Sequence, residues 1–519
     1  MAERLRSGDP TLWGAPGTPE IANRLGWLTI AERMLADLGR IELFAAEARD
    51  EEVQDIVLLG MGGSSLAPEV LRRSFGHRDG LPRLHVLDST DAARILAIES
   101  AVDLKNTMFI VSSKSGGTIE PLSLFAHFFS RVDQGNRFIA ITDPGSGLEK
   151  LADERGFRRT FAGDPNIGGR YSALSAFGVV PAALMGIDVR SLLEGAAGAW
   201  ETELQNVDAP SPEHEAAGVW LGAALSALAG AGRDKLTFVI AETLPGLGLW
   251  LEQLVAESTG KHATGILPVA EEPLGEPGEY GEDRVFAYLP DLNAPNPELD
   301  ARVRAVGDAG HPLITMPTRG PGDLGRVFLL WELAVAVAGW GLEINPFDQP
   351  NVQQAKDATN GVLAGYEANH ELPVIADASD AELRSLLLGA APPQYVAIMA
   401  YTEPLSKFDE ALGELRLAIR KATKATTTFG YGPRFLHSTG QFHKGGPKTG
   451  RFLQLLHDGP ADVEIPGAPY TFTTLKNAQA IGDLNTLREL GLPAERIRLQ
   501  GEDAVGALRA LTARIKEPE

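Results

Sequence analysis

The hydroxyls of residues 111–120, VSSKSGGTIE, have the spacing that an anion cradle needs. Ser112, Ser113, Ser115 and Thr118 supply O–H donors, and Gly116 and Gly117 let main-chain N–H groups come close to a ligand. TMFIVS, ending at Ser112, is a short apolar, β-branched run; IEPLSLFAHFFSRV, from Ile119, has apolar positions three and four apart. The turn therefore falls between a buried strand and the N-terminus of a helix, where the dipole favours negative charge and a phosphate ester fits. A simple helix cap accounts for the same residues, because Ser and Thr are favoured N-caps.

Other chemistry-bearing residues also stand in loops. GMGGSSLAP places Gly63 and Ser64 after a strand; a dinucleotide fingerprint would need its third glycine at Ser65, and no acidic ribose ligand is well placed. Arg170 follows Gly168 and Gly169 in AGDPNIGGRYSALSAFG, where it is either a surface ion pair or a fixed positive fork at the mouth of a crevice. Glu257 closes an apolar helix just before Ser258, Thr259, Gly260 and Lys261. Solvated, it is an ordinary glutamate; partly desolvated, it has the raised pKa of a general base. Gln349 and Lys356 lie in INPFDQPNVQQAKDATNG, whose X-Pro steps fix an irregular backbone before a helix. The basic loop FLHSTGQFHKGGPKTGRF holds His437, His443, Lys444, Lys448 and Arg451, and reads as an anion site, a subunit contact or a surface loop. Its histidines lack a zinc spacing, no HExxH occurs and there is no cysteine, so no metal site is expected.

These residues need a scaffold, and the chain supplies one. Its 519 residues exceed a single core, and 44% hydrophobic with 22% charged residues is a globular composition. A helical segment is expected over residues 1–50, chiefly LTIAERMLADLGRIELFAAEA. Strands and helices then alternate as in a doubly wound parallel sheet, giving an α/β unit over 51–200 and a second over 215–365, with an exposed linker at 203–216 between them. The two units look like one topology used twice. A third α/β unit, 372–519, contains YVAIMAY, FDEALGELRLAIRKATK, DVEIPGAPYTF, RIRLQ and AVGALRALTARIK. The net charge of −22 argues against nucleic acid, and the lack of a long apolar run or signal core argues against a membrane, so a cytoplasmic protein is expected.

Six motifs, GMGGSSLAP, SSKSGGTIE, GGRYSALSAFG, LVAESTGK, GEPGEYGEDRVFAYL and INPFDQPNVQQAK, resemble in order those of the glucose-6-phosphate isomerase family across residues 55–360. The first fifty residues and the C-terminal unit look most like the isomerase half of transaldolase/glucose-6-phosphate isomerase fusions; a standalone isomerase is implied. The resemblance implies two sugar-isomerase-type (SIS) domains, a cofactor-free exchange of glucose 6-phosphate and fructose 6-phosphate, and a homodimer. It implies that Ser113, Lys114, Ser115 and Thr118 hold the phosphate, with Gly63, Ser64 and Gly169 beside the sugar. Arg170 would stabilise an enediolate, Glu257 would move the proton between C1 and C2, and Gln349 and Lys356 would line the site. The family's ring-opening histidine falls at Asp283, so Asp283, Lys356 or a histidine from elsewhere, with His443 as the candidate, must serve. A non-catalytic sugar-phosphate sensor would need the cradle but not Glu257, Arg170 and Lys356 together; tolerance of mannose 6-phosphate stays open.

Overall fold

Apolar runs bounded by turn residues form strands wherever both faces of the run can be covered, and this chain has three such sets. The computed structural model describes residues 2–206 and 217–516. The first sheet contains β1 (Asp55–Gly60), β2 (Arg83–Leu87), β3 (Thr107–Ser112), β4 (Phe138–Thr142) and β5 (Arg159–Ala162) in the order β2-β1-β3-β4-β5. The second contains β6 (Lys235–Ile240), β7 (Leu267–Val269), β8 (Arg284–Leu289) and β9 (Leu313–Thr315) in the order β7-β6-β8-β9. All pairings are parallel, and β1, β3 and β8 are buried along their whole length, which explains why they read as unbroken apolar runs.

The third unit repeats that topology. Its sheet contains β10 (Tyr395–Tyr401), β11 (Thr426–Tyr431), β12 (Gly450–Leu456) and β13 (Ala494–Arg498) in the order β11-β10-β12-β13. The topology expected twice is thus used three times. DVEIPGAPYTF forms no strand, only an isolated bridge between Glu464 and Thr471. The basic loop is also more regular than its glycines suggest: it contains a 3-10 turn, Arg434–His437, a helix, Gly440–Gly445, and the start of β12.

The expected linker lies outside the described residues from residue 207 onward. Glu203, at its start, is buried and accepts the N–H groups of Gly218 and Val219, which ties two helices together. Helix Leu324–Gly341 is the long apolar element of the core; within a segment long and apolar enough to span a membrane, 83% of the residues are buried in the protein.

Two features fix the site. The register pairs Gly60 with Ser112, so the loops GMGGSS and SSKSGGT leave neighbouring strand ends on opposite sides of the sheet, the crevice where α/β sheets bind ligands. The N-terminal segment is a buttress. Trp27 packs on Tyr171 and Phe347 with ring centroids 5.3 Å and 6.5 Å away, and Trp13 meets Phe347 at 5.0 Å, so the loops carrying Arg170 and Gln349 rest on one aromatic cluster.

The third unit docks on the second through buried charge. Glu272 lies 2.9 Å from Arg284 and 3.4 Å from Arg420, and accepts a 2.9 Å hydrogen bond from Thr427, while Arg416 donates to the carbonyls of Ala270 and Glu271. Burial by itself would raise the Glu272 pKa, but Arg284, Arg416 and Arg420 outweigh it and bring the carboxyl down to about 2. A depressed carboxylate contributes stability above its unfolded pKa and loses it as pH falls toward the folded value. Glu272→Gln should cost about 3–5 kcal/mol at pH 7, because it strands buried guanidinium groups. It should also flatten the loss of stability between pH 4.5 and about 2, measured by urea unfolding at several pH values. An unchanged acid limb would show that Glu272 does not carry the docking.

Candidate active site

Arg170 is set by the turn that starts at Gly169, and its guanidinium is buried and held on all sides. Nε donates to Ser258 at 2.8 Å, Nη1 to Gln349 at 2.8 Å and to Glu257 at 3.5 Å, and Nη2 to the carbonyls of Pro346 at 2.7 Å and Asp348 at 2.8 Å. The irregular loop 344–349 exists to present those acceptors. Lys261 anchors it from beneath, donating to the Asn345 carbonyl and pairing with Asp348 at 2.7 Å. Burial, with Arg170 adding repulsion, pulls the Lys261 amine down to about 7 despite Asp348.

Glu257 sits near the end of the buried helix Leu247–Thr259. Its Oε2 lies 3.5 Å from Arg170 Nη1 and 3.3 Å from Gln253 Nε2, one helical turn earlier. Burial raises its pKa above the ordinary carboxylate value, and Arg170, His437 and Lys261 each offset part of that rise. A carboxylate that is desolvated yet kept ionisable by neighbouring cations suits proton abstraction.

Linked to this pair through Gln253 and His437 is a cavity of about 100 Å³ lined by Thr118, Glu120, Lys356, His437 and Gln479 among others. Thr118 is the N-cap of helix Ile119–Val132, but no side chain caps that helix. A cap alone therefore does not account for the hydroxyls. Ser113 Oγ donates to Thr118 Oγ1 at 3.1 Å, and Ser115 Oγ accepts from Gly117 N at 3.4 Å, bonds that fold the turn on itself and that an incoming anion would have to replace. His437 joins the two groups. Its ring bonds Glu120 Oε1 at 2.9 Å, and its main-chain carbonyl accepts from Gln253 Nε2 at 2.8 Å. Gly62, at φ 55°, permits that approach: a Cβ there would lie 2.8 Å from the His437 carbonyl oxygen.

The structure thus gathers Arg170, Glu257 and Gln349 in one cluster, and Thr118 and Lys356 at the adjoining cavity. Gly63 and Gly169 meet backbone to backbone; a Cβ on Gly63 would lie 2.1 Å from the Gly169 carbonyl oxygen, so these glycines bring the two loops together. Ser64 is buried, with its carbonyl taken by Ser112 Oγ.

Three of the expected residues have neighbours that the residues alone did not suggest. Lys114 is ion-paired with Asp143. Asp283 packs beside Gly281 and Pro392, and neither carboxylate oxygen has a hydrogen-bond partner among the described residues; burial raises its pKa. His443 does not reach the cavity. It is buried, stacks on Tyr395 with centroids 5.8 Å apart and bonds the Tyr395 hydroxyl at 3.0 Å, and burial pulls its pKa down to about 3. Gln253, Glu120 and Gln479 were not among the expected residues. Gln253 was within reach, four residues before Glu257 on one helix face; Gln479 comes from a distant helix that only folding reveals.

The phosphoglucose isomerase family model matches residues 45–282. A glucose-6-phosphate isomerase of Rubrobacter xylanophilus is 32% identical over 379 residues, spanning 62% of this chain and 86% of that one. Among solved structures, a hypothetical protein of Thermus thermophilus superposes with a TM-score of 0.60 at 27% identity, covering 70% of this chain and 95% of that one. A glucose-6-phosphate isomerase of Chlamydia trachomatis superposes with a TM-score of 0.59 at 19% identity over 71% of this chain and 84% of that one, a likeness of fold.

The cradle makes a direct claim about anions. Inorganic phosphate should bind the protein in calorimetric titration, and Thr118→Ala and Ser115→Ala should each weaken it by about 1.5–3 kcal/mol, the scale of a hydrogen bond to a charged group. Unchanged affinity in both variants would leave the turn a structural element only.

Proposed function

The chain belongs to the phosphoglucose isomerase family, and from that premise we propose that it interconverts glucose 6-phosphate and fructose 6-phosphate by moving a proton between C1 and C2. The observation that carries the reading is the buried contact of Glu257 with Arg170, linked through Gln253 and His437 to the cavity that holds Thr118 and Lys356. A sensor would need to hold a sugar phosphate, but would have no use for a desolvated carboxylate beside a fixed guanidinium.

With the phosphate in the turn at Ser113, Ser115 and Thr118, the far end of the open-chain sugar extends toward Glu257. The carboxylate takes the carbon-bound proton from one carbon and returns it to the neighbouring one, so one base serves both directions. Negative charge develops on the C1 and C2 oxygens during the transfer. Arg170 is already oriented by five hydrogen bonds, and its longest, 3.5 Å to Glu257, is the one a substrate oxygen displaces most easily. That exchange frees the base and places the positive charge on the enediolate at little reorganisation cost. Lys356, on the cavity wall, adds charge toward the phosphate and sugar oxygens. With this reading go a cytoplasmic location and a homodimer, the latter open to test by size-exclusion chromatography.

Glu257→Gln should retain phosphate binding and the fold while lowering kcat by at least ~10², the scale of lost general acid–base catalysis. In the unsubstituted protein the raised pKa places the acid limb of kcat/KM above 4.5, because the base works only when ionised and activity falls as pH drops through that pKa. A Glu257→Gln variant that turns over fructose 6-phosphate at a near-normal rate would assign the proton transfer to another group.

A further inference from the structure

We propose that His437, contributed by the C-terminal unit of the same chain, is the acid–base group that opens the sugar ring, with Glu120 and Gln479 as its positioning residues. The inference rests on the isomerase reading above and adds a residue outside the stretch 45–282 that matches the family.

Isomerisation acts on an open chain, whereas hexose phosphates exist mostly as rings, so some group must deliver a proton to the ring oxygen. Asp283 is buried beside Gly281 and His443 packs against Tyr395, and neither is among the cavity-lining residues. His437 is. Its Nε2 is tied to Glu120 at 2.9 Å, and Glu120 is in turn held by Gln479 Nε2 at 2.7 Å, on the same oxygen. A carboxylate on one ring nitrogen fixes the orientation of an imidazole and leaves Nδ1 for the substrate.

The order of groups on the protein also matches the order of atoms on the sugar. The phosphate is on C6, and the ring oxygen O5 is bonded to the adjacent C5, whereas C1 and C2 lie beyond. On the protein, Thr118 and His437 share the cavity wall; the carbonyl of His437 meets Gln253, and Gln253 meets Glu257. A sugar phosphate laid along this line brings O5 to the imidazole before C2 reaches the carboxylate. In the step itself the C1–O5 bond of the pyranose breaks with its electron pair going to O5, and O5 takes the proton from Nδ1 of the imidazolium. The C1 hydroxyl gives its proton to water, leaving the aldehyde, and the imidazole regains a proton from solvent. For the fructose ring the same step acts at C2.

The C-terminal unit is built to hold this residue. Gly260, in the stretch after Glu257, has no room for a side chain because Phe442 Cα would lie 2.4 Å from its Cβ, and Gln441 donates to the Gly260 carbonyl at 2.9 Å. Gly482 does the same on the other flank: a Cβ there would lie 2.8 Å from Thr359 N, so helix Phe472–Glu489 seats against helix Val352–Asn369 and carries Gln479 to Glu120. The third unit thereby completes the site within one chain.

The test compares a cyclising with a non-cyclising substrate. 5-Deoxyfructose 6-phosphate lacks the ring hydroxyl and stays open, and deuterium exchange at its C1 reads proton transfer alone. His437→Ala should lower kcat on fructose 6-phosphate at least ~10²-fold, yet leave exchange on the open-chain sugar within about threefold. His437→Gln, which can retain the bond to Glu120, should show the same split and guards against a folding defect. Glu120→Gln should lose turnover of the cyclic sugar with little change in exchange on the open one. Mixing His437→Ala with Glu257→Gln protein should restore nothing, because each site is completed by its own chain. Equal loss on both sugars, loss on neither, or recovery on mixing would overturn the inference. Absence of exchange on the open-chain sugar in the unsubstituted protein would overturn the isomerase reading, and this inference with it.

Discussion

A carboxylate and a guanidinium buried against each other attract strongly, yet both resist leaving water, so such a pair persists only where the surroundings supply every remaining hydrogen bond. Arg170 and Glu257 are that pair. Ser258, Gln349 and the carbonyls of Pro346 and Asp348 satisfy the guanidinium, and Gln253 shares the carboxylate. Much of the chain follows from this need. The first unit presents Arg170, the second presents Glu257, and the loop 344–349 is irregular because main-chain acceptors must face inward. The aromatic cluster of Trp13, Trp27, Tyr171 and Phe347 keeps water from the back of the pair.

The third unit extends the same logic. Its docking depends on a second buried charge cluster, with Glu272 among Arg284, Arg416 and Arg420, rather than on an apolar patch alone. Charge pairs of this kind fix orientation more sharply than they add stability, and orientation is what a residue carried so far along the chain from Glu257 requires. The price of so distant a contribution is a pair of flanking glycines, Gly260 and Gly482, where any side chain would push the unit away.

Much of this was legible in the residues. Strands β1, β3, β6, β8 and β10 read clearly because both faces are covered, and the cradle, Arg170 and Glu257 stood out as polar groups at places where an apolar element ends. Strands β11 and β12 did not: TTTFGY is too polar for a buried run, and GRFLQLL was masked by the basic, glycine-rich stretch before it. The choice between His437 and His443 shows a harder limit. The two are six residues apart in one basic stretch, and only the packing of Tyr395 and Phe452 makes one a core residue while Glu120 makes the other part of the site. The partner of Lys114 was hidden for a related reason, since Asp143 lies beyond the next strand.

The central claim is that a carbon-bound hydrogen moves as a proton on an enzyme group and not as a hydride between carbons. Fructose 6-phosphate turned over in deuterium oxide with excess chelator tests this by NMR of the glucose 6-phosphate formed. The account predicts sustained turnover with a measurable share of product deuterated at C2, because a proton held by Glu257 can exchange with solvent before it is returned. Turnover that stops with the chelator, or product in which C2 carries only the original hydrogen, would contradict it.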